Sequence, residues 1–374
     1  MTERLVITTE GPLSLPAGRQ TGFSVDTLFH IPGTVLRGAL AQAYLEAGGD
    51  TNDATFEACF GSAGIRFTDL RPAGAFPWPM SLRECAEYPG IHPRVDLLLP
   101  LSRGASLLGS CGVCQAKLLP LTGFGKAVRN AVQPYVTEKV VVDRRMHSAI
   151  DPHTLRVIPE KFHSARTLAA QQTFTGKLWA AAAAEAEWPK LLAKLVDVGT
   201  RDSEGRVTLF LGRGRSRGQG RVTLKLVSGA RESGMQQRLV EFNELAGSPI
   251  SFAFSCDFRS TALFYDPWLR SKTRLEGEDL HPELVDYRAV ATFARTAARS
   301  GWHAAAQLPK PETPLLDRGA CYLFQRRLPE GVSVMQEIER LAPTLEKLEA
   351  TGTGERLSEG WGEVEFCHPI HLAE

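Results

Sequence analysis

The sequence predicts an α+β protein built from two similarly ordered units. Its 374 residues are more than one ordinary hydrophobic core encloses, which favours two domains. Each half begins with a strand-like segment and ends with a glycine-rich loop that leads into a strand, with helical segments between. The halves share this order without an obvious sequence repeat, which suggests a duplicated fold. We therefore predict domains at 1–232 and 249–374, joined by a linker helix within 233–248.

The first unit begins with a strand at 4–9, where branched apolar residues dominate. A helix follows, with Thr34 as its N-cap and the glycine pair 48–49 at its end, because apolar residues recur on one helical face between them. Residues 56–64 are rich in turn formers, and 65–70 predicts another strand. The unit thus starts as strand, helix and strand.

In the remainder of the first unit, the apolar periodicity is clear in some segments and ambiguous in one. Residues 136–142 predict a strand, and 188–198 predicts a short helix. The apolar stretch 171–185 fits a buried strand running into a helix, although its periodicity alone does not separate the two. Two alternating strands, 206–211 and 221–227, then flank a glycine loop, which places that loop between paired strands.

The second unit repeats the same order. A helix at 235–245 leads into it, and a strand at 250–256 opens it. It closes with a helix at 334–348, a second glycine loop at 352–362 and a strand at 363–367. The shared ending of the two halves is the main support for duplication.

Composition excludes a membrane protein and a disulfide-stapled one. Hydrophobic residues make up 43% and charged residues 23%, which is typical of a soluble globular chain. The longest nearly apolar run, 178–184, is far shorter than a membrane span, and the N-terminus lacks the layout of a signal peptide. Seven scattered cysteines, an odd number, argue against a disulfide framework. We expect a cytoplasmic protein with no membrane partner.

Charge is balanced over the chain but not along it. The formal net charge is +1, so no partner follows from overall electrostatics. The strip 206–225, however, contains five arginines and one lysine without a carboxylate. A local basic strip on a neutral protein is typical of a polyanion held in one groove.

The loop 212–220 gives the sharpest chemical signal. Its glycines allow close backbone approach to a ligand and leave amides open to phosphate oxygens, while its arginines add bidentate contacts. A P-loop, a Rossmann fingerprint and a protein kinase are excluded, because the terminal Gly-Lys-Ser/Thr, a following helix and the HRD and DFG motifs are absent. A mobile hairpin tip is the alternative, but uncompensated arginines favour polyanion binding. The candidate binding residues here are Gly212, Arg213, Gly214, Arg215, Ser216, Arg217, Gly218 and Gly220.

The second loop has the glycines without the excess of positive charge. Glu355, Glu359 and Glu363 would repel phosphates. A tight turn packed by Trp361 and a binding role, including contact with a protein neighbour, both remain open for this loop.

A cysteine-bearing insertion at 77–124 contains a candidate structural zinc site. The pair Cys111 and Cys114 has the spacing at which two thiolates chelate one ion, and Cys85 and His92 supply two further ligands from the same core-poor segment. Four protein ligands would make the site closed and structural. The alternative is a pair of half-buried thiols with a surface histidine.

The stretch 143–166 is polar and rich in cations. Its histidines, above all His147 and His163, have the chemistry for acid–base cleavage of RNA, in which a 2′-hydroxyl is deprotonated and the leaving oxygen is protonated. The same residues would equally line a groove for phosphates or bases, and this is the interpretation we prefer. The candidate RNA contacts in this stretch are Arg144, Arg145 and His147.

Several segments, taken in order, resemble the repeat-associated mysterious proteins (RAMPs) of CRISPR systems. The helix start Pro-Gly-Thr-Val-Leu-Arg-Gly at 32–38 is similar to their Pro-Gly-x-x-x-Arg/Lys-Gly pattern, and 145–154 resembles their Arg-x-His-x-Ala-Ile-Asp-x-x-Thr segment. The resemblance covers most of 1–227 and, more faintly, 249–370. Further matching segments are the turn and strand at 59–69, the Phe-x-Gly strand at 174–176 and the glycine loop at 212–220.

The resemblance is greatest to the large RAMP subunit of type III-D CRISPR effector complexes. It implies two ferredoxin-like (RRM-like) domains and an RNA-binding role in antiviral defence, with Arg37 added to the candidate RNA contacts. The implied partners are the guide RNA, through its 5′ handle, possible target RNA, the backbone subunits and the large polymerase-like subunit. Asp26 lies near the place of a nuclease aspartate in some RAMPs, but the residues after it depart from their longer loop, so that role is not transferred. A metal-independent endoribonuclease using His147 or His163 is the alternative function.

Overall fold

The computed structural model describes residues 2–17, 24–102, 109–128, 134–197, 201–228, 234–246, 250–303 and 308–372. Both halves contain helices and strands, with runs of consecutive strands such as β8 to β13, as is typical of an α+β protein. Among these residues, no helix combines the length and the hydropathy that crossing a membrane demands.

The first half contains more elements than the sequence indicated. In chain order they are β1 (Thr2–Thr9), β2 (Ser24–Val25), α1 (Gly33–Glu46), α2 (Ala54–Phe60), β3 (Arg66–Phe67), β4 (Arg71–Pro72), β5 (Ala75–Pro77), β6 (Leu82–Cys85), β7 (Val95–Asp96), α3 (Leu98–Ser102), β8 (Leu118–Pro120), β9 (Phe124–Ala127), β10 (Tyr135–Glu138), β11 (Val142–Ile150), β12 (Val157–Leu168), β13 (Thr173–Trp179), α4 (Ala182–Asp197), β14 (Val207–Phe210) and β15 (Arg221–Ser228).

The second half is shorter. Its elements in chain order are α5 (Met235–Ala246), β16 (Ser251–Phe258), α6 (Gly277–Leu280), β17 (Arg288–Phe293), β18 (Thr296–His303), β19 (Leu308–Leu316), β20 (Cys321–Arg327), α7 (Val334–Thr351) and β21 (Val364–Phe366). Single turns of 3₁₀ helix lie at Arg215–Arg217, Pro282–Leu284, Leu357–Glu359 and Pro369–Leu372.

An antiparallel sheet organises the first half, in the order β14-β15-β1-β13-β3, with β4 also pairing with β13. Strand β1 occupies its centre, where Leu5 and Ile7 are fully buried. Helices α1 and α4 contribute Leu40 and Leu191 to the same hydrophobic cluster. Burial of these side chains is the main stabilising term for the half, at about 1.5–3 kcal/mol for each large apolar residue.

The second half has its own antiparallel sheet, in the order β17-β20-β16-β21. Strand β16 is buried along consecutive residues, so both of its faces are covered. Its cluster includes Phe242 of α5, Leu341 of α7 and Leu98 of the insertion. The helix predicted as a linker therefore packs within the core of the second half.

Most of the predicted elements are confirmed, and the ambiguous stretch 171–185 proves to be strand β13 followed by helix α4. The N-cap prediction is wrong. Pro32 occupies the N-cap and Thr34 lies inside α1, while the Gly33 amide donates to the carboxylate of Asp69 at 3.1 Å. An acceptor from a distant part of the chain thus replaces the local side-chain cap.

Residues 56–64 also differ from the prediction, since the turn-rich segment contains helix α2. Asp53 caps it by accepting a hydrogen bond from the Phe56 amide at 2.6 Å, and Cys59 and Phe60 are buried. Burial of its apolar face, not helix propensity, stabilises so short a helix.

Buried charges join the two halves and the insertion. Arg71 forms a bidentate pair with Glu363 at 2.7 and 2.9 Å, linking β4 to the start of β21. His371 lies between Asp96 of the insertion, at 2.5 Å, and Asp257 of β16, at 2.9 Å. Burial lowers the pKa of His371, but the two carboxylates outweigh it and raise the pKa to about 10. The imidazole is therefore positively charged and holds the insertion against the second sheet.

Candidate nucleic-acid interface and metal centre

The loop 212–220 connects β14 to β15 through a single 3₁₀ turn. Gly214 and Gly218 flank that turn with φ of +78° and +74°, in the left-handed region that favours glycine. A Cβ atom on Gly212 would lie 2.2 Å from the carbonyl oxygen of Ser14. The glycines are required by the loop's own geometry and by its close contact with the N-terminal segment.

The amides of this loop are largely used within the protein. The Arg213 amide donates to the Ser14 carbonyl at 3.0 Å, and the Gly220 amide donates to the Pro12 carbonyl at 2.9 Å. Further amides bonded inside the loop are those of Arg217, Gly218 and Gln219. Contacts to phosphates would therefore come from the side chains, in contrast to the open amides that the sequence led us to expect.

The side chains of Arg213, Arg215 and Arg217 are all exposed on this fixed backbone. Other arginines of the basic strip have carboxylate partners from outside it, because Arg206 pairs with its near neighbours Asp202 and Glu204, and Arg221 pairs with the distant Glu10. For the three loop arginines, the described part of the chain offers no carboxylate at ion-pair distance. Uncompensated positive charge is concentrated at the loop.

Strands β11 and β12 form a long hairpin that carries the second set of predicted contacts. Arg144 and Arg145 are exposed on β11. The antiparallel register places His147 opposite His163, and their rings stack with centroids 5.0 Å apart and planes inclined by 20°. Sequence spacing gave no sign of this pairing, because it depends on which residues of two strands face each other.

One edge of the hairpin is tied to the segment before α1. Strand β2 pairs in parallel with β12, and Arg166 contacts Asp26 at 3.1 Å. Asp26 is thus paired with a cation of the hairpin. The exposed apolar side chains Met146 and Phe162 lie on the same two strands, so the surface mixes cations with apolar groups.

Arg37 has a different environment from the other predicted contacts. Its guanidinium is half-buried and donates to the backbone carbonyls of Phe60 and Gly61, at the end of α2. Burial lowers its pKa, and Glu359 of the second glycine loop partly offsets that effect. In this structure Arg37 packs α1 against α2.

The second glycine loop lies against the first half of the same chain. A Cβ atom on Gly360 would be 2.4 Å from the carbonyl oxygen of Phe67, and φ at Gly360 is +83°. Arg356 lies over the Trp361 ring at 5.6 Å. The neighbour of this loop is therefore β3 of the first half.

The four predicted metal ligands converge. The ligand atoms of Cys85, His92, Cys111 and Cys114 all lie within 4.8 Å of one another. The sulfur atoms of Cys85 and Cys114 are 3.4 Å apart, as are the Cys111 sulfur and the His92 Nδ1 atom. Tetrahedral zinc with Zn–S bonds of about 2.3 Å separates two thiolates by about 3.8 Å, so this donor set fits one zinc ion.

The backbone around Cys111 also favours a thiolate. Amides of Cys114 and then Val113 donate to its sulfur and lower the pKa of the Cys111 thiol to about 6. Cys85 is fully buried at the end of β6, in the small sheet β7-β6-β8. A metal here would tie the turn at Cys111 to that sheet.

Comparisons with known proteins give partial likenesses to CRISPR components. No protein-family profile and no curated protein matches the chain. A chain of a type III-B Cmr-beta complex, bound to cognate target RNA and AMPPnP, is similar with a TM-score of 0.43 and 16% identity over 86% of both chains. A type IV-B CRISPR complex gives 0.32 and 14% over 63% of this chain and 93% of that one. Cmr4 gives 0.28 and 12% over 62% and 100%. What this chain does has to follow from its own residues.

Proposed function

We propose that the chain is a single-stranded RNA-binding protein, and more particularly an RNA-binding subunit of a type III CRISPR ribonucleoprotein. The observation that carries the proposal is the fixed loop 212–220, with three exposed arginines that have no carboxylate partner among the described residues. Guanidinium groups match phosphate geometry, and a rigid backbone reduces the entropy lost on binding.

The strand orders support this assignment. In the second sheet β16 lies between β20 and β21, with β17 outside β20, as in the β-α-β-β-α-β arrangement of ferredoxin-like domains. In the first sheet β1 likewise lies between β13 and the last strand, β15, with β3 outside β13, and β14 is an additional strand beyond β15. We infer two such domains, 1–232 and 249–374, each ending in a glycine loop. The resemblance of several segments to RAMPs, and of the cysteine-bearing insertion to the large type III-D subunit, makes the guide RNA 5′ handle the proposed ligand. Neighbouring CRISPR subunits are the proposed protein partners.

Sequencing of co-purified RNA tests the proposal. We expect the protein, expressed with a CRISPR array, to retain short repeat-derived RNAs with uniform ends, and expect the triple variant R213A/R215A/R217A to lose them. The matched control K190A/R206A/R270A removes the same charge from surface cations that are each ion-paired, and should retain the RNA. Wild-type protein without RNA above background would overturn the proposal.

We further propose that Cys85, His92, Cys111 and Cys114 hold a structural zinc. Bound zinc would supply cross-linking energy that the small sheet β7-β6-β8 lacks. Elemental analysis should find one zinc per chain, and C114S should lose it together with resistance of the insertion to protease. A metal-free wild-type protein that resists protease equally well would contradict this assignment.

The stacked pair His147 and His163 favours a second candidate, an endoribonuclease that needs no metal. One imidazole would remove the proton of a 2′-hydroxyl, which attacks the adjacent phosphate, and the other would protonate the leaving 5′ oxygen. Under this alternative, H147A and H163A abolish cleavage of repeat RNA and leave binding intact. Under the preferred function, wild-type protein leaves that RNA uncut.

A further inference from the structure

A cavity of about 780 Å³ opens where the two halves and the insertion meet. Its size is within the range of pockets that hold small ligands. Four aromatic side chains lie in its lining, and one of them, Phe29, is 41% exposed. The other aromatic members are Trp78, Phe124 and Phe293.

Arg318 lines this cavity from a rigid turn. The Gly319 amide donates to the Phe258 carbonyl at 2.8 Å, and the Met80 amide donates to the Gly319 carbonyl at 2.8 Å. A Cβ atom on Gly319 would lie 2.5 Å from the carbonyl oxygen of Trp78, so the two backbone segments are in close contact. The backbone that carries Arg318 is therefore fixed before any ligand arrives.

The guanidinium of Arg318 has a neutral partner. Its NH1 atom contacts His30 Nδ1 at 2.5 Å, and it lies over the Phe124 ring at 5.5 Å. Burial, and then the charge of Arg318, lower the pKa of His30 to about 4, so the imidazole is uncharged at neutral pH. Its Nε2 atom faces Asp69 at 3.4 Å, which leaves Nδ1 free to accept from Arg318. His30 orients the arginine without neutralising it.

The charges of the cavity are only partly balanced. Arg295 is paired with Asp317 at 2.7 Å. Arg83 donates to backbone carbonyls and lies against Phe293. Within the described ranges, neither Arg83 nor Arg318 has a carboxylate at ion-pair distance. Two cations without a carboxylate partner in a wall of mixed polar and apolar groups favour an anionic ligand.

Glu138 is the remaining carboxylate of the lining. It faces Lys126 at 3.7 Å, outside the cavity wall. Lys139, also in the lining, adds a further cation. The balance stays positive, which suits a phosphate.

We propose that this cavity takes one unstacked nucleotide of bound RNA, with its phosphate at Arg318 and its base against the aromatic side chains. The inference rests on the proposed RNA-binding function and names a second site for it, away from the arginine loop. A phosphate alone would need the cation but not the aromatic rings, whereas a nucleotide uses both. A free mononucleotide shares this chemistry, so the test separates the two sources.

Photocrosslinking with two probes provides that test. The probes are a single-stranded RNA containing 4-thiouridine and free 4-thiouridine 5′-monophosphate, with crosslinked peptides mapped by mass spectrometry. We expect the RNA to crosslink within 121–124 or 292–295, and expect R318M to reduce that yield by roughly tenfold. F29A, at an exposed position of the lining, should reduce it as well, so the test stands even if R318M fails to fold. The control R270M removes a surface arginine paired with Asp266 and should change nothing.

The outcomes separate the two proposals. RNA retained by the arginine loop without crosslinks in the cavity would overturn this inference and leave the proposed function standing. Crosslinking by the free mononucleotide but not by RNA would overturn the assignment to an RNA segment. Absence of all RNA binding would overturn the proposed function, and this inference with it.

Discussion

The two glycine loops of this protein have similar backbones and opposite surroundings. In both, two residues with positive φ enclose a single 3₁₀ turn: Gly214 and Gly218 flank Arg215–Arg217, and Arg356 and Gly360 flank Leu357–Glu359. Around the first turn a Cβ atom on Gly218 would meet nothing within 4 Å, whereas a Cβ atom on Gly360 of the second would meet the Phe67 carbonyl. One loop presents charge to solvent, and the other is an internal contact between halves.

This comparison teaches that a glycine loop specifies a backbone shape and not a use. The shape follows from φ values that only glycine adopts without strain. Its use depends on neighbours, which are arginines and solvent for the first loop and strand β3 for the second. Loops of one backbone shape can therefore have different surroundings within the same chain.

The largest expected effect concerns the ion pair beside the second loop. R71M would leave the Glu363 carboxylate, only 6% exposed, without its partner. We expect a loss of about 3–5 kcal/mol in the free energy of unfolding, measured by urea denaturation. R206M, which breaks an exposed pair with Asp202, should lose less than about 1 kcal/mol. Equal losses of unfolding free energy in R71M and R206M would contradict the packing of the second loop against the first half.

Alanine at matched glycines sharpens the comparison. G360A combines left-handed strain with a clash against Phe67, and should lower the free energy of unfolding by about 3 kcal/mol. G218A meets open space and adds strain alone, about 1–2 kcal/mol. Both are measured by the same denaturation. A larger loss of stability in G218A than in G360A would contradict the finding that the first loop faces open space.

The smallest effect on stability and the clearest effect on binding belong to the arginines. R213A/R215A/R217A removes exposed side chains and should change the free energy of unfolding by less than about 0.5 kcal/mol. If three phosphates are neutralised, the slope of log K against log salt for single-stranded RNA should become shallower by about 2. An unchanged slope would show that these arginines do not touch RNA.

Much of the fold could be read from short-range pattern. Strands β14 and β15 alternate cleanly, and glycines mark the loop between them. Helix α2 could not be read in this way, because its seven residues have weak propensity and form a helix only when Phe60 is buried. The cap of α1 was missed for a similar reason, since Asp69 reaches Gly33 from another part of the chain.

The candidate sites likewise separate into features set by the local sequence and features set by the tertiary fold. The spacing of Cys111 and Cys114 predicted two candidate metal ligands, because a chelating turn is local. That Cys85 and His92 complete the set depended on the fold of the insertion, which brings them to the pair. The cavity at Arg318 had no sequence signature, because its walls come from separated segments.

The sequence by itself determined the strands and helices with clear apolar periodicity, the positions of the glycine loops and the concentration of arginines between 206 and 225. Only the tertiary structure decided which of those arginines stay uncompensated, because the pairing of β1 with β15 brings Glu10 to Arg221. It also decided that the second loop packs on β3. The physical reason is that backbone conformation is set by neighbouring residues, whereas charge compensation and burial depend on strand register and on contacts between distant segments.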